Sequence, residues 1–550
     1  MARFNINGEE KEYPVGITLE AMAEAENLGR DRPVMAAIIG NMLFELTAVP
    51  EPGSCITFID SDSEDGNRIY ARSLSFMLVR AVKAVLPGAR LRIEHSLHNG
   101  LYCEINKEAP LTSHEVAQIQ LAMEKIAQSD EPFVRGTVSK RQAMEYFEAD
   151  GQYEKNLLLR YREDDDFTLY ENDGIKNYFY GFMAPSTGYI RKFSLYYYPP
   201  GFVMIYPKAN GIGADMKFIE QPRLAKIFRE AGDWARILEC DYISDLNDMA
   251  RAGKLCEFIR INEALHEKKV AEIANNITSH GKDKKLILIS GPSSSGKTTF
   301  AQRLMVQLRV QGKKPVSISL DNYYKNRDEI EHDSSGNADL ESTAAIAVDI
   351  FNSDISELIA GREVELPVFN FAKGHREHSR QKMRLGENEI LIVEGIHALN
   401  PELARCIDSR KKYRIYVSAI AHINLDDYNR IPTTDIRLIR RMVRDSKYRG
   451  ANIQHTIDMW PRVRRGEENN IFPYQENADI MFNSALFYEL CLLKKYVYPM
   501  LKAIGEGDSY YTEANRLIRF LNYVMSSDED YEVPRNSILR EFIGGSSFYE

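Results

Sequence analysis

The sequence predicts a multidomain protein of α/β and α+β architecture, with a parallel sheet covered by helices in its C-terminal half. The first observation is length, because 550 residues exceed the roughly 100–200 residues of one domain. The second is composition: 44% hydrophobic and 27% charged residues are typical of globular proteins. The third is the pattern of apolar residues. Beyond about residue 285, short apolar runs such as LILIS and ILIVE alternate with helical stretches, which indicates strands buried on both faces.

Charge, hydropathy and cysteine usage exclude several classes of protein. The 70 Lys and Arg against 80 Asp and Glu leave a net charge of −10, which argues against wholesale coating of nucleic acid or of an anionic membrane. No apolar run of spanning length is present, and the polar start MARFNINGEEKEYP does not resemble a signal peptide, so we expect a cytoplasmic protein. The six cysteines lack CxxC spacing and are expected to be buried apolar side chains.

The N-terminal half divides into three predicted parts. Residues 1–62 indicate a small mixed module of strand, turn, strand and helix, with Asn7-Gly8 as the turn. The segment 61–67, rich in Asp, Ser and Gly, predicts a linker into a second domain over 63–216, which opens with an amphipathic helix and continues with half-buried strands such as LYCEI and FVMIYP. Residues 217–280 predict a helical connector.

The C-terminal half is predicted as an α/β domain over 281–500 and a helical tail over 501–550. The strand LILIS runs into GPSSSGKT and then a helical stretch, which matches GxxxxGK[ST] in its strand, loop and helix setting. Backbone N–H groups of such a loop cradle phosphates, a lysine reaches the β and γ phosphates of ATP, and the following hydroxyl faces Mg²⁺. The predicted nucleotide-binding residues are Gly291, Ser293, Ser294, Ser295, Gly296, Lys297, Thr298 and Thr299.

Two carboxylates follow strands of this predicted sheet. Asp321 comes after VSISL, at the sheet edge where ligands of open α/β folds bind, and could take a proton from an acceptor hydroxyl. An indirect Mg²⁺ ligand or a helix cap are the alternatives for Asp321. Glu394 ends ILIVE and could hold Mg²⁺ through water, with a surface glutamate as the alternative.

A basic segment over 435–449 contains four arginines at helical spacing, Arg437, Arg440, Arg441 and Arg444. Their i, i+3, i+4, i+7 pattern predicts one helical face that presents four guanidiniums, which suits a lid that closes over a triphosphate. A solvated basic helix and an RNA-contacting helix are the alternatives.

The strings LDNYYK, PVFNF, ILIVEGIHAL and RLIRRMVRD, in that order behind GPSSSGKTT, resemble the uridine kinase and phosphoribulokinase family over about 285–485. The resemblance implies an ATP- and Mg²⁺-dependent nucleoside kinase of the uridine or cytidine type that acts on the 5′ hydroxyl. It implies catalytic roles for Asp321 as general base, for Lys297 and for Arg444. It also implies phosphate contact by Arg444 and Arg449, with Thr298 and Glu394 at the metal. The implied substrate-binding residues are Tyr324, Glu341, Phe369, His375 and Arg441.

Departures from the family pattern leave the nucleobase open. Phe369-Asn370-Phe371 stands where Tyr-Asp-Phe is usual, and Gly374 takes the place of a base-reading histidine whose neighbour is His375. Glu341 replaces an aspartate, and Ala451 replaces a lid arginine. A phosphoribulokinase-like sugar-phosphate kinase and an RNA-binding regulatory protein with a P-loop switch domain remain the alternative functions.

The N-terminal half resembles two modules of threonyl-tRNA synthetase. Residues 1 to about 60 are similar to a TGS domain of β-grasp fold. Residues 63 to about 210 are similar to the second additional domain, through LVRAVKAVLPGARLRIE, GLYCEI and APSTGYIRKFSL. The four zinc-ligand positions of that editing domain carry Arg72, Phe76, Phe179 and Met183, so we expect no editing activity. Contact of these modules with tRNA or with a small ligand, and assembly into a homo-oligomer, stay open; no membrane partner is expected.

Overall fold

The computed structural model describes residues 1–29, 32–162, 164–209, 215–279, 284–330, 339–371 and 373–548. Its first part is a five-stranded mixed sheet in the order β2-β1-β5-β3-β4, with β1 parallel to β5, packed on one helix. Asn7 and Gly8 form the first turn with positive φ angles of 50° and 94°. The strand, turn, strand and helix predicted here are confirmed. The elements are β1 (Ala2–Ile6), β2 (Glu9–Tyr13), α1 (Leu19–Ala25), β3 (Val34–Ile39), β4 (Met42–Phe44) and β5 (Cys55–Asp60).

The predicted linker at 61–67 is wrong, because most of it forms the first turn of helix α2 (Glu64–Val85). Ser63 caps this helix by accepting a hydrogen bond from the Gly66 N–H at 3.0 Å. A side chain at Gly66 would lie 1.8 Å from the Asp60 carbonyl oxygen, so the helix begins directly against the end of β5. Ser, Asp and Gly are residues of helix starts as well as of linkers, which explains the error.

The second part contains the antiparallel sheets β11-β12-β7-β6 and β10-β9-β8. Strand β12 is buried on both faces, not half-buried as predicted, since Val203 packs toward Ala225 of the following helix and Phe202 joins the core under α2. The elements are β6 (Arg90–Leu97), β7 (Gly100–Asn106), α3 (Ser113–Ser129), β8 (Val134–Ser139), α4 (Lys140–Ala149), α5 (Tyr153–Leu159), β9 (Asp166–Asn172), β10 (Ile175–Asn177), β11 (Ser194–Tyr198) and β12 (Gly201–Ile205).

The connector is helical, as predicted, and forms part of the C-terminal core. Its helices are α6 (Pro222–Leu238), α7 (Ile243–Arg251) and α8 (Leu255–Ser279). Ile227 and Phe228 of α6 pack in the core of the following domain, while Phe228 also stacks on His95 of β6 at 3.6 Å between ring centroids. The connector therefore joins the two halves through buried contacts.

The third part is a fully parallel five-stranded sheet in the order β14-β17-β13-β18-β19, which confirms the predicted fold class. The elements are β13 (Leu286–Ser290), α9 (Lys297–Val310), β14 (Lys314–Ser319), α10 (Val348–Ile359), the hairpin β15 (Val364–Asn370) and β16 (His375–Met383), β17 (Glu389–Glu394), β18 (Lys412–Ser418), α11 (Thr433–Tyr448), α12 (Ile453–Asn470), β19 (Ile480–Asn483), α13 (Glu489–Lys502), α14 (Tyr511–Leu521) and α15 (Arg540–Ile543).

Both faces of this sheet are covered, and its carboxyl edge collects the polar residues. Ile287 and Ile289 of β13 belong to one hydrophobic core, whereas Leu286 and Leu288 belong to the core on the opposite face. In the ladder, Ile289 and Ser319 both pair with Glu394, so the loops after β13 and β14 start beside the end of β17. Parallel register therefore brings three sequence-distant segments to one edge.

Ion pairs, one of them buried, join the second part to the third. Lys155 of α5 lies 3.0 Å from Asp426, and both side chains are buried. Arg90 of β6 reaches Asp427 at 2.7 Å, and the Tyr242 hydroxyl donates to the same carboxylate at 2.6 Å. These contacts make the N-terminal modules a packed neighbour of the parallel-sheet domain.

Two further findings concern hydropathy and cysteines. None of the described helices is long and apolar enough to cross a membrane. Cys103, Cys240 and Cys491 are buried as predicted, but Cys55 and Cys406 are exposed, so the prediction of apolar filling is wrong for those two.

Candidate functional site

The phosphate-binding loop lies between β13 and α9, and its shape depends on close backbone packing. A side chain at Gly291 would lie 2.0 Å from the Val417 carbonyl oxygen, so only glycine fits there. Ser294 adopts a left-handed backbone with φ of 58°, which turns the loop. The Lys297 ammonium donates to the Pro292 carbonyl at 3.0 Å and so spans the loop from its end to its beginning. The predicted residues therefore form one continuous cradle.

Two half-buried carboxylates, Asp321 and Glu394, interact electrostatically with the ammonium of Lys297. Burial raises the pKa of Glu394 to about 7, and Lys297 opposes that rise. Burial also raises the pKa of Asp321, with Lys297 and Arg449 opposing. The pKa of Lys297 is lowered by burial, while Glu394 and Asp321 act to raise it. The three groups form one coupled electrostatic unit at the sheet edge.

The donor set beside the loop is suited to a hard cation. The Thr298 hydroxyl donates to the Glu394 carboxylate at 3.5 Å. A hydroxyl and a carboxylate are oxygen ligands of the kind that Mg²⁺ prefers, so the residues fit that ion. Asp321 has no hydrogen bond to its carboxylate from the described residues, and its oxygens are available to another group.

Aromatic rings lie near Asp321, whose carbonyl oxygen accepts from the Tyr324 N–H at 3.4 Å. Tyr324 packs edge-on against Phe369 at 5.7 Å between centroids, and Phe369 against Phe371 at 5.0 Å. Tyr324 and Phe369 are buried, whereas Phe371 is 52% exposed and His375 lies exposed at the start of β16. The rings form a surface beside the carboxylate on which a planar group can stack.

Glu341 is held against α12. A side chain at Gly466 would lie 2.2 Å from the Glu341 Cβ, so this glycine lets the loop approach the helix. Burial and the nearby Glu467 raise the pKa of Glu341 to about 7, and the charge of Arg441 opposes them. Glu341 and Arg441 are thus neighbours in electrostatic terms, as the resemblance implies for a pair that contacts ribose.

The predicted face of four guanidiniums on α11 is wrong. Arg437 and Arg440 are 1% and 0% exposed. Arg437 pairs with Glu467 at 2.5 Å, and Arg440 pairs with Glu489 at 2.7 Å. The i, i+3 spacing is present, but it directs these two side chains into the core, where each has a buried carboxylate. They hold the helix and do not face a nucleotide.

The remaining arginines of this segment share one carboxylate. Arg441, Arg444 and Arg449 lie 3.2, 2.7 and 3.6 Å from oxygens of Asp445. Arg441 also donates to the Ser293 hydroxyl in the phosphate-binding loop at 2.9 Å. Three cations on one anion leave a surplus of positive charge beside the loop, which attracts phosphate.

Sequence reasoning missed three acidic residues at the site. Buried Glu467 accepts from the Ser293 N–H at 3.1 Å, from Arg437 and from Arg464. Asp445 collects the three arginines, and Glu541 of α15 accepts from the Thr299 hydroxyl at 2.8 Å. The i+4 spacing of Asp445 to Arg441 and Arg449 was a usable signal. Glu467 and Glu541 are brought in by tertiary packing and have no local signal.

The second part, residues 63–216, is called the editing-like domain below. Three of its four positions that match zinc ligands of the synthetase domain form hydrophobic core. Phe76, Phe179 and Met183 are 0%, 2% and 2% exposed, and the two rings pack at 5.6 Å. Arg72 donates to the Phe182 carbonyl at 2.9 Å. The region that would carry a metal in an editing enzyme is filled by packed side chains here.

Comparisons with known proteins give different matches for the N-terminal and the C-terminal regions of the chain. The N-terminal region is similar to threonine–tRNA ligases: 27% identity over 190 residues to that of Desulforamulus reducens, and 27% over 190 residues to that of Symbiobacterium thermophilum. Each match covers 34% of this chain, and the chain spans about 30% of the length of these relatives.

Two solved structures are similar over part of the chain. A possible uridine kinase from Bacillus stearothermophilus has 18% identity and a TM-score of 0.28, covering 39% of this chain and 98% of that one. D-glycerate 3-kinase from Cryptococcus neoformans has 12% identity and a TM-score of 0.20, covering 53% and 87%. The phosphate-binding loop, the parallel sheet and the arginine-bearing α11 all lie within residues 286–487, the part of this chain that matches the phosphoribulokinase / uridine kinase family.

Proposed function

We propose that the C-terminal domain transfers the γ-phosphate of ATP to the 5′ hydroxyl of a nucleoside, most closely of the uridine or cytidine type. The observation that carries the proposal is the position of Asp321. Its half-buried carboxylate lacks a hydrogen bond from the described residues, lies in the field of Lys297, and is near Tyr324, whose ring packs against Phe369. A base near both a phosphate cradle and an aromatic surface suits an alcohol that carries a planar ring.

The roles of the residues follow from their chemistry. Asp321 accepts the proton of the attacking hydroxyl, and its raised pKa makes it a stronger base than an exposed aspartate. The loop N–H groups and Lys297 bind phosphates, and the cations of Arg444 and Arg449 stabilise negative charge that develops on transfer. Thr298 and Glu394 would hold Mg²⁺, which when bound neutralises charge on the phosphates.

Glu341 and Arg441 are proposed to contact the ribose. A half-buried carboxylate can accept from two neighbouring hydroxyls, and Arg441 lies close enough to oppose the rise of the pKa of Glu341. His375 and Phe371, on the exposed hairpin, are proposed to contact the nucleobase. Since the aromatic surface favours a ring-bearing acceptor, the nucleoside is placed ahead of a sugar phosphate.

The test is ADP release by purified full-length protein with MgATP against uridine, cytidine, adenosine, guanosine and ribulose 5-phosphate. We expect release above the background hydrolysis rate with a pyrimidine nucleoside. Release only with the sugar phosphate would replace the proposal by the phosphoribulokinase-like alternative. Turnover indifferent to every acceptor would favour the P-loop switch instead.

A further inference from the structure

A cavity with a volume of about 1160 Å³ lies between the editing-like domain and the parallel-sheet domain. Its walls come from one face of α2, the end of β6, the segment after β12, α6, the start of α11, and one face of α12. Among its described lining residues none belongs to the phosphate-binding loop, and Asp321, Glu341 and Glu394 do not line it. The cavity is therefore separate from the proposed catalytic cleft and is large enough for a nucleotide-sized molecule.

Nearly all carboxylates of the cavity wall already have partners. Asp435 and Glu513 both pair with Arg516, at 2.6 and 2.7 Å, and Glu468 pairs with Arg464 at 2.7 Å. In the same way, Glu64 and Asp65 pair with Arg68, Asp62 with Arg32, and Glu476 accepts from the N–H groups of Arg223 and Leu224. Glu220 and Arg465 lie at the exposed rim and carry opposite charges. Each of the other acidic groups named above has a cation or an N–H group as its partner.

Three half-buried cations of the wall are not matched in this way. Arg72, Lys208 and Arg430 form no ion pair within 4 Å with a carboxylate of the described residues. Arg72 donates only to a carbonyl oxygen, and Lys208 lies over the ring of Tyr206 at 3.7 Å. Burial lowers the pKa of Lys208 and of Arg430, although Glu468 and Asp435, beyond ion-pair distance, act to raise them. An anion that entered the cavity would relieve that cost.

The three cations are linked through two tyrosines. The charges of Arg72 and Arg430 both act on Tyr180, and Tyr206 interacts with both Lys208 and Arg430. The rings of Tyr428 and Phe472 line the same cavity. The wall therefore offers a positive patch and aromatic surfaces side by side, the combination that binds a phosphate group joined to a planar base.

We infer that this interdomain cavity is a binding site for a nucleotide, with Arg72, Lys208 and Arg430 on its phosphates and the neighbouring tyrosine rings against its base. Three cations call for a polyanion such as a phosphate ester rather than a single carboxylate. The site is independent of the proposed kinase reaction, because it shares none of the residues given a role there.

The test is isothermal titration of full-length protein with UMP, UTP, AMP and ATP, without magnesium, and with inorganic phosphate. The Lys297→Ala variant removes the ammonium of the catalytic cradle, so nucleotide that still binds it reports the cavity. We expect at least one nucleotide to bind this variant, and Lys208→Met or Arg430→Met introduced into it to weaken that binding at least 10-fold. Lys226→Met, an exposed position on α6, is the matched control and should change nothing.

Three results would overturn the inference. One is the absence of nucleotide binding in the Lys297→Ala protein. Another is binding that the cavity substitutions leave unchanged, or that inorganic phosphate matches in affinity, since the base would then contribute nothing. The third is binding of unacylated tRNA, titrated in the same way, but of no mononucleotide. If the methionine variants fail to fold, hydrogen exchange on the unsubstituted protein decides: a bound nucleotide must protect residues 428–438 and 64–75.

Discussion

The two halves of this chain differ in the residues that occupy their candidate sites. In the parallel-sheet domain, Asp321 and Glu394 are half-buried in the field of Lys297, although burial raises the pKa of both carboxylates and so disfavours their charged forms. In the editing-like domain, the aligned positions hold Phe76 and Phe179, packed ring against ring. One region carries ionisable groups at a half-buried sheet edge, and the other carries hydrophobic core at positions that match zinc ligands of the synthetase domain.

The difference teaches how to recognise which half works as an enzyme. Burying ionisable groups is unfavourable unless they are paired or used, so their presence at a sheet edge indicates chemistry. Aromatic packing contributes stability instead. We therefore expect substitutions in the first region to change rate and those in the second to change the free energy of unfolding.

The largest expected effect is on the base. Asp321→Asn keeps size and shape but removes the proton acceptor, so kcat should fall about 100- to 10,000-fold while ATP affinity changes little. Steady-state kinetics together with equilibrium binding of an ATP analogue measure both. Asp328→Asn, exposed in the next turn, is the control. A near-normal kcat in Asp321→Asn would contradict the role of Asp321 as the general base.

The second effect is on stability in the editing-like core. Phe76→Ala leaves a cavity beside Phe133 and Phe179 and should lower the free energy of unfolding by about 3–5 kcal/mol. Chemical denaturation measures this, with Leu121→Ala, 58% exposed, as the control. At a temperature where the variant is folded, kcat should be unchanged. A large loss of kcat in folded protein would show that this half takes part in the reaction.

The third effect separates the two kinds of arginine on α11. Arg437→Met leaves Glu467 buried with less compensation and should cost about 3–5 kcal/mol of stability. Exposed Arg449→Met should leave stability almost unchanged and raise the KM for ATP. Thermal unfolding and steady-state kinetics on the two variants measure the difference. If both variants changed mainly stability, or both changed mainly the KM for ATP, the two arginines would not have the distinct roles given to them.

The smallest effect concerns the pH dependence of stability. The pKa of Glu341 is raised to about 7 in the folded protein, so folding disfavours its charged form increasingly as pH rises from its ordinary pKa toward 7. Glu341→Gln should therefore stabilise the free protein at pH 8 by about 1–3 kcal/mol, and much less at pH 5. Denaturation at both values measures the difference. Equal stabilisation at the two pH values would contradict burial of a charged carboxylate as the cause.

Local patterns in the sequence accounted for the parallel sheet and for the cradle from Gly291 to Thr299, because apolar runs and the glycine-lysine spacing carry their own physical signal. The same reasoning failed at 61–67, where one set of residue types serves both a helix start and a linker. It failed again at Arg437 and Arg440, since helical spacing shows which side chains share a face but not whether that face is buried. The partners that bury them, Glu467 and Glu489, arrive from other helices.

The central claim is phosphoryl transfer from ATP to a nucleoside at the edge marked by Lys297 and Asp321. The most direct measurement follows the label from γ-³²P-ATP after incubation of full-length protein with Mg²⁺ and uridine or cytidine. We predict labelled pyrimidine nucleoside 5′-monophosphate, at a rate that collapses in Asp321→Asn. Label found only in free phosphate, with either nucleoside, would contradict the account.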